Sequence, residues 1–260
     1  MADEGPTIVV VGHPGHELHV HNWLEIERPT VCVLTDGSGG VGPGRLAHSR
    51  ECLARTGAAA GAVFGPLSDR AWYAALLAGD HSPFLEAADQ IWATARALRA
   101  ATIVSDARDG YNPMHDAAFS IAAMVAEGLA SRGQPVRHLV VPATGKAPVA
   151  PLRELQLDAA AVARKEAAFQ RYAPLSGEIE QIRGQGFDIE VERLYPAYDG
   201  DEVSLPFYES VGKARVSDGG YDRVIEFDRH YRPLIRRVRS ALLEARGVPA
   251  APRRAALAPA

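Results

Sequence analysis

Four of the chain's nine histidines fall between His13 and His21, in "GHPGHELHVH", directly after the apolar run "TIVVV". Another, His115, lies far downstream in "DGYNPMHDAAF". Imidazole is the commonest protein ligand for transition metals. A short His-x-x-His loop (His13, His16) joined by a distant His115 makes a plausible facial set for zinc. Three protein ligands and a position left for water form the usual catalytic arrangement. By spacing alone a second reading stands beside it: two-residue gaps between histidines arise by chance, and the rings are then satisfied or exposed. His19 and His21 fall on the helix that follows and read as supporting or surface histidines rather than ligands.

The elements that would have to position these rings alternate between strand and helix. Thr7 to Val11 reads as a short buried parallel strand, broken at once by Gly and Pro. "LHVHNWLEIERP" reads as helix, ending near Arg28 because Pro29 disfavours helix in the residue before it. Thr30 to Thr35 is a second buried strand, closed by the turn-rich "DGSGGVGPG". A helix from about Arg45 to Thr56 precedes a short strand around Ala62 to Phe64. Helices near Arg70–Ala78 and Pro83–Arg99 lead to the strand "ATIVSD". After "ARDGYNPMHD" come a helix from about Ala117 to Ser131 and the strand "RHLVVP". Further on are a helix from Asp158 to Tyr172, the strand-like "FDIEVERLYP" and a helix near Asp228–Arg246. This alternation implies an α/β, Rossmann-like fold with a mostly parallel sheet flanked by helices, its active site at the C-terminal ends of the strands. His13 and His16 fall in one strand-end loop, and His115 in another.

Composition limits what such a site would serve. The 260 residues suit a single domain over 1–246, followed by a Pro/Ala-rich tail, 247–260. A net charge of −4 argues against nucleic-acid and membrane partners and for a small-molecule substrate. No apolar run approaches the roughly 18 residues that span a bilayer. Two cysteines, Cys32 and Cys52, give no disulfide framework and fit a reduced cytoplasm. A homo-oligomer is left open.

"VVVGHPGHE", "LTDGSGG" and "DGYNPMHDAAF", in that order, resemble the PIG-L/LmbE-like (N-acetylglucosaminyl deacetylase-like) family. The resemblance runs from Thr7 to about Val125 and extends weakly to "ARKEAAFQRY" and "FYESVGKARV…YDRVIEFDRHYRPL". In that family the first motif reads His-Pro-Asp-Asp-Glu and the later one His-x-Asp-His. The first His, the second Asp and the last His bind zinc. The first Asp is the general base, and the remaining His supports the oxyanion. The resemblance therefore implies Zn2+ or another divalent transition metal on His13, His16 and His115, with His16 in place of the usual Asp. Gly15 stands where the base is expected, and Asn112 where the oxyanion histidine is expected; an amide can still donate a hydrogen bond.

Replacement bases are Glu17, Asp36, Asp109 and Asp116, each with a plainer reading. Glu17 is already present in the family beside its base. Asp36 opens a common Asp-Gly turn. Asp116 could cap the helix after it. Arg50 resembles a substrate-binding arginine of the family or forms an exposed helical ion pair, and Tyr111 is a lid or stacking residue or an ordinary loop aromatic. The leading expectation is a hydrolase of a C–N amide bond in a small amino-sugar-like or other N-acyl substrate, with zinc-bound hydroxide as nucleophile. The missing base keeps two alternatives open: a metal-dependent lyase, cyclase or isomerase of a biosynthetic pathway, and a catalytically degenerate homologue that binds a ligand or partner.

Overall fold

In a computed structural model, which describes residues 5–39, 42–143, 147–177, 180, 187–198, 206–217 and 222–248, the strands make one sheet. They are β1 (Thr7–Val11), β2 (Thr30–Thr35), β3 (Ala59–Leu67), β4 (Thr102–Asp106), β5 (Arg137–Val141), β6 (Arg153–Gln156) and β7 (Val191–Pro196). Their order across the sheet is β3-β2-β1-β4-β5-β7-β6. The first five in that order are parallel, while β7 runs antiparallel to β5, and β6 antiparallel to β7. The expected α/β architecture is therefore observed.

The central strands are β-branched and buried because helices cover both faces. Alternation along β1 sends Ile8 and Val10 to one face, with α4 (Ser82–Ala97), α5 (Pro113–Ser131) and α8 (Arg232–Ala245). Val9 and Val11 face the other way, toward α1 (His21–Glu27) and α2 (Leu46–Thr56). Helix α3 (Asp69–Ala78) follows β3, while α6 (Ala159–Arg171) and α7 (Phe207–Ser217) lie later in the chain. Among the described residues no helix is long and apolar enough to cross a membrane.

Several boundaries depart from the sequence reading. Strand β3 is longer than the expected Ala62–Phe64. A Cβ at Gly61 would lie 2.5 Å from Cys32 Sγ, so this stretch needs small residues and lacks the usual strand signature. Strand β6, "RELQ", carries no strand signal of its own because it sits at the sheet's edge with alternate residues exposed. Helix α7 is likewise absent from the sequence reading. The helix expected from Ala117 begins at Pro113, so His115 lies in its first turn and not in the preceding loop. Asn112, not Asp116, caps it: Asn112 Oδ1 accepts from Met114 N at 2.8 Å, and Pro113 follows with its φ already helical. The expected tail begins packed, with Val248 N donating to Leu243 O at 2.9 Å; residues 249–260 lie outside the described residues, as do Gly40 and Val41 of the glycine-rich loop.

Candidate active site

The sheet reverses its winding at β1, which pairs with β2 on one side and β4 on the other. Crevices at such points hold ligands in open α/β sheets. His13 leaves β1 here, and Gly12 lets the turn pass close to α5: a Cβ on Gly12 would fall 2.7 Å from Met114 O. His13 Nδ1 lies 2.9 Å from Asp69 Oδ1 and 3.0 Å from Thr35 Oγ1. His16, at the start of the 3-10 turn His16–Val20, has Nδ1 2.9 Å from both oxygens of Asp106, the last residue of β4. Asp106 Oδ2 also accepts from Gly12 N at 2.7 Å. His115 Nδ1 is 3.1 Å from Asp109 Oδ2.

Each ring is thus anchored through Nδ1 by its own carboxylate, one just beyond β3 and two at or just beyond the end of β4. This is the arrangement by which outer carboxylates orient metal-binding imidazoles. With Nδ1 donating, the Nε2 lone pair is left for a ligand. His13 Nε2 is buried and has no hydrogen-bond partner among the described residues. The ring centres lie 5.4 Å (His13–His16), 5.3 Å (His13–His115) and 4.6 Å (His16–His115) apart, all edge-on. Three imidazoles around one tetrahedral zinc at about 2.0–2.1 Å would space their centres by roughly 5 Å. As the side chains stand, no three His, Cys, Asp or Glu among the described residues form a finished metal cage. The donor types, their anchoring and the unpartnered His13 nitrogen are those of a metal-ligand set, but as they stand the side chains are not placed to hold an ion.

Electrostatics differ across the cluster. Burial opposes charging of His115, but the charge and hydrogen bond of Asp109, with Asp106 and Asp116, outweigh it and raise its pKa to about 9. Burial lowers His16 despite Asp106, and lowers His19 to about 3. Burial, followed by the charge of Asp109, raises Asp116 to about 7, and its Oδ1 accepts from Gly110 N at 3.1 Å.

The remaining sequence candidates divide around this centre. On one flank Gly15 sits in the left-handed region at φ 109°, and a Cβ there would lie 2.2 Å from Leu175 Cδ1, so any side chain would need strained backbone and a shifted Leu175 tip. Glu17 is fully buried, accepting from Gly15 N at 2.7 Å through one oxygen and from the Ser49 hydroxyl through the other. The Ser49 hydroxyl is also 3.1 Å from the Tyr172 hydroxyl. Beneath this network the fully buried pair Lys165 Nζ–Glu192 Oε1, at 2.8 Å, fixes the turn that carries His16. Lys165 donates to His19 O at 2.9 Å, and Glu192 accepts from Asn22 N and Trp23 N. His19 is half-buried with its ring 6.3 Å from His16, whereas His21 is buried rather than superficial.

On the other flank Tyr111 stacks over His115 with ring centres 6.1 Å apart. Asn112 Nδ2 donates to the Tyr73 hydroxyl at 3.1 Å. Asp36 Oδ1 accepts from Ser38 N at 2.9 Å, the turn contact its Asp-Gly sequence suggests. Arg50 is exposed on α2, its guanidinium 4.5 Å from the Phe64 ring centre. Sequence reasoning missed Asp69 and Asp106 and considered Asp109 only as a base. Their one signal is position: each follows or ends a strand.

No protein-family model matches the chain, and no curated protein matches it in sequence. Among solved structures it is similar to the antimicrobial reagent A40926 pseudoaglycone deacetylase Dbv21, at 16% identity and a TM-score of 0.52, over 75% of this chain and 97% of that one. It is also similar to the conserved protein TT1542 from Thermus thermophilus, at 19% identity and a TM-score of 0.45, over 78% and 98% respectively. At these identities the first likeness shows a shared fold.

Proposed function

We propose that the chain is a metal-dependent hydrolase of a C–N amide bond in a small N-acyl substrate, amino-sugar-like or otherwise, with His13, His16 and His115 holding one zinc or similar divalent ion. The observation that carries this reading is the trio of rings, each held at Nδ1 by its own carboxylate and gathered where β1, β3 and β4 end. The fold shared with a deacetylase supports it. When bound, such an ion supplies Lewis acidity toward a carbonyl and lowers the pKa of water.

The chain's own residues set up the rest. Asp69, Asp106 and Asp109 engage the rings at Nδ1, which leaves Nε2 as the ligating nitrogen once His115 gives up its extra proton. Tyr111 offers a flat surface beside His115 for the substrate. Asn112 uses one N–H on Tyr73, and the second is the donor proposed for negative charge developing on the carbonyl oxygen. Glu17 has both oxygens engaged, which favours a role in holding the Gly15 turn over one in taking a proton.

The glycine at position 15 favours a second reading, a non-hydrolytic lyase, cyclase or isomerase of a biosynthetic pathway, because it offers no carboxylate, and a side chain there would need a strained positive-φ backbone and a shift of the Leu175 side-chain tip. Release of acetate from N-acetylglucosamine conjugates, assayed with and without chelator, tests the first reading. Chelator-sensitive turnover without incorporation of water into product would favour the second. No turnover by loaded protein on a broad amide panel would favour a ligand-binding homologue.

A further inference from the structure

Beside the Tyr111 flank lies a cleft that opens to solvent, with about 630 Å3 of non-atom space when the open solvent at its mouth is included. Helix α3 contributes Tyr73 and Leu77, the start of α5 contributes Asn112 and Pro113, and α7 contributes Tyr208 and Val211. Arg223 is the only charged residue among the described lining residues. The cavity wall is tied to the site loop, since Tyr208 N donates to Gly110 O at 2.9 Å.

At the same edge, Tyr111 and Phe207 stack with ring centres 5.7 Å apart and planes 16° apart, yet remain 47% and 55% exposed. Large aromatics left so open beside an apolar cavity mark a binding surface more often than a neutral one. A bare amino sugar, covered in hydroxyls, would leave such a lining unmatched. An aromatic group would use the stacked rings and the apolar walls, and an anion on it would meet Arg223.

We propose that this cavity binds an aromatic, anionic portion of the substrate, placing it next to His115 through the Tyr111–Phe207 stack. The inference deepens the hydrolase reading by naming a substrate class, but its test needs neither metal nor turnover. The protein, treated with chelator, is titrated calorimetrically with 2-naphthoate, its neutral isostere 2-naphthamide, and acetate. One naphthoate per chain is expected, with naphthamide about three- to fivefold weaker, as an exposed ion pair allows, and no measurable acetate binding. Arg223→Gln, a surface change, should erase the naphthoate advantage and leave naphthamide unaffected. Val211→Trp, checked for unchanged circular dichroism, should weaken both aromatic ligands at least about tenfold by filling the space.

Naphthoate binding no tighter than acetate, binding that disappears on chelation, or binding indifferent to both substitutions would overturn the proposal. A protein that takes up no metal yet binds naphthoate as described would overturn the hydrolase reading and leave the aromatic-anion cavity standing.

Discussion

The two flanks of the histidine cluster are built oppositely. On the Gly15 side the Leu175 side-chain tip packs against a positive-φ glycine, and Glu17, Ser49 and Tyr172 close a buried polar network. On the Tyr111 side the chain leaves aromatic rings uncovered beside a cavity. The contrast teaches what each flank is for. Buried, mutually satisfied groups fix the His13–His16 turn. The opposite side keeps exposed aromatic area that folding alone does not require. The closed flank should therefore answer substitution with lost stability, and the open flank with lost ligand binding.

The largest effect is expected at Lys165. Lys165→Met leaves Glu192 charged and buried without its partner, a loss of about 3–5 kcal/mol by the usual scale for broken buried pairs. Urea unfolding measures it, and a loss below about 1 kcal/mol would mean that this pair does not hold the closed flank. Gly15→Asp comes next, combining a left-handed backbone with an overpacked contact, together about 2–4 kcal/mol. Adding Leu175→Ala should return part of that stability. Restoring a carboxylate at position 15 by itself should therefore cost stability even where it assists hydrolysis.

The pH dependence distinguishes the flanks by sign. In metal-free protein His115, raised to about 9, contributes stability that is fully present below its unfolded pKa near 6.5 and is lost as pH rises through about 9. His19, lowered to about 3, contributes stability present above about 6.5 and lost as pH falls toward 3. Because a ligating imidazole must first lose its proton, apparent zinc affinity should rise up to about tenfold per pH unit from pH 7 to about 9. Isothermal titration across that range checks it; a flat profile would show that His115 is not protonated or not a ligand. The smallest effect on stability is Asn112→Ala, which removes a helix cap for about 1 kcal/mol of unfolding free energy. If its second N–H also serves the substrate, turnover should fall about 10²–10³-fold while metal uptake is unchanged.

Much of this was legible in the sequence where the signal is local. The β-branched runs of β1, β2, β4 and β5 declare buried strands, and the strand-end loops place His13 and His16 beside His115. What was hidden is either chemically quiet or distant in sequence. Strand β3 is built from Ala and Gly to let Cys32 approach, and β6 is a short half-exposed edge. Asn112-Pro113 is a cap-and-first-turn signal that the apolar run beginning at Ala117 overshadowed. The carboxylates Asp69 and Asp106 hold rings 56 and 90 residues away, pairings no spacing rule reveals. That Gly15 lacks a base could be read from its type alone. That the space is filled depends on Leu175, brought in by the segment following α6.

The most direct test is the metal content and zinc affinity of wild-type protein purified without chelator, beside His115→Ala checked for fold by circular dichroism. Near-stoichiometric divalent metal in wild type, lost in the folded variant, is the expected result. A folded wild-type protein that carries no metal and takes up no added zinc would contradict the three-histidine centre.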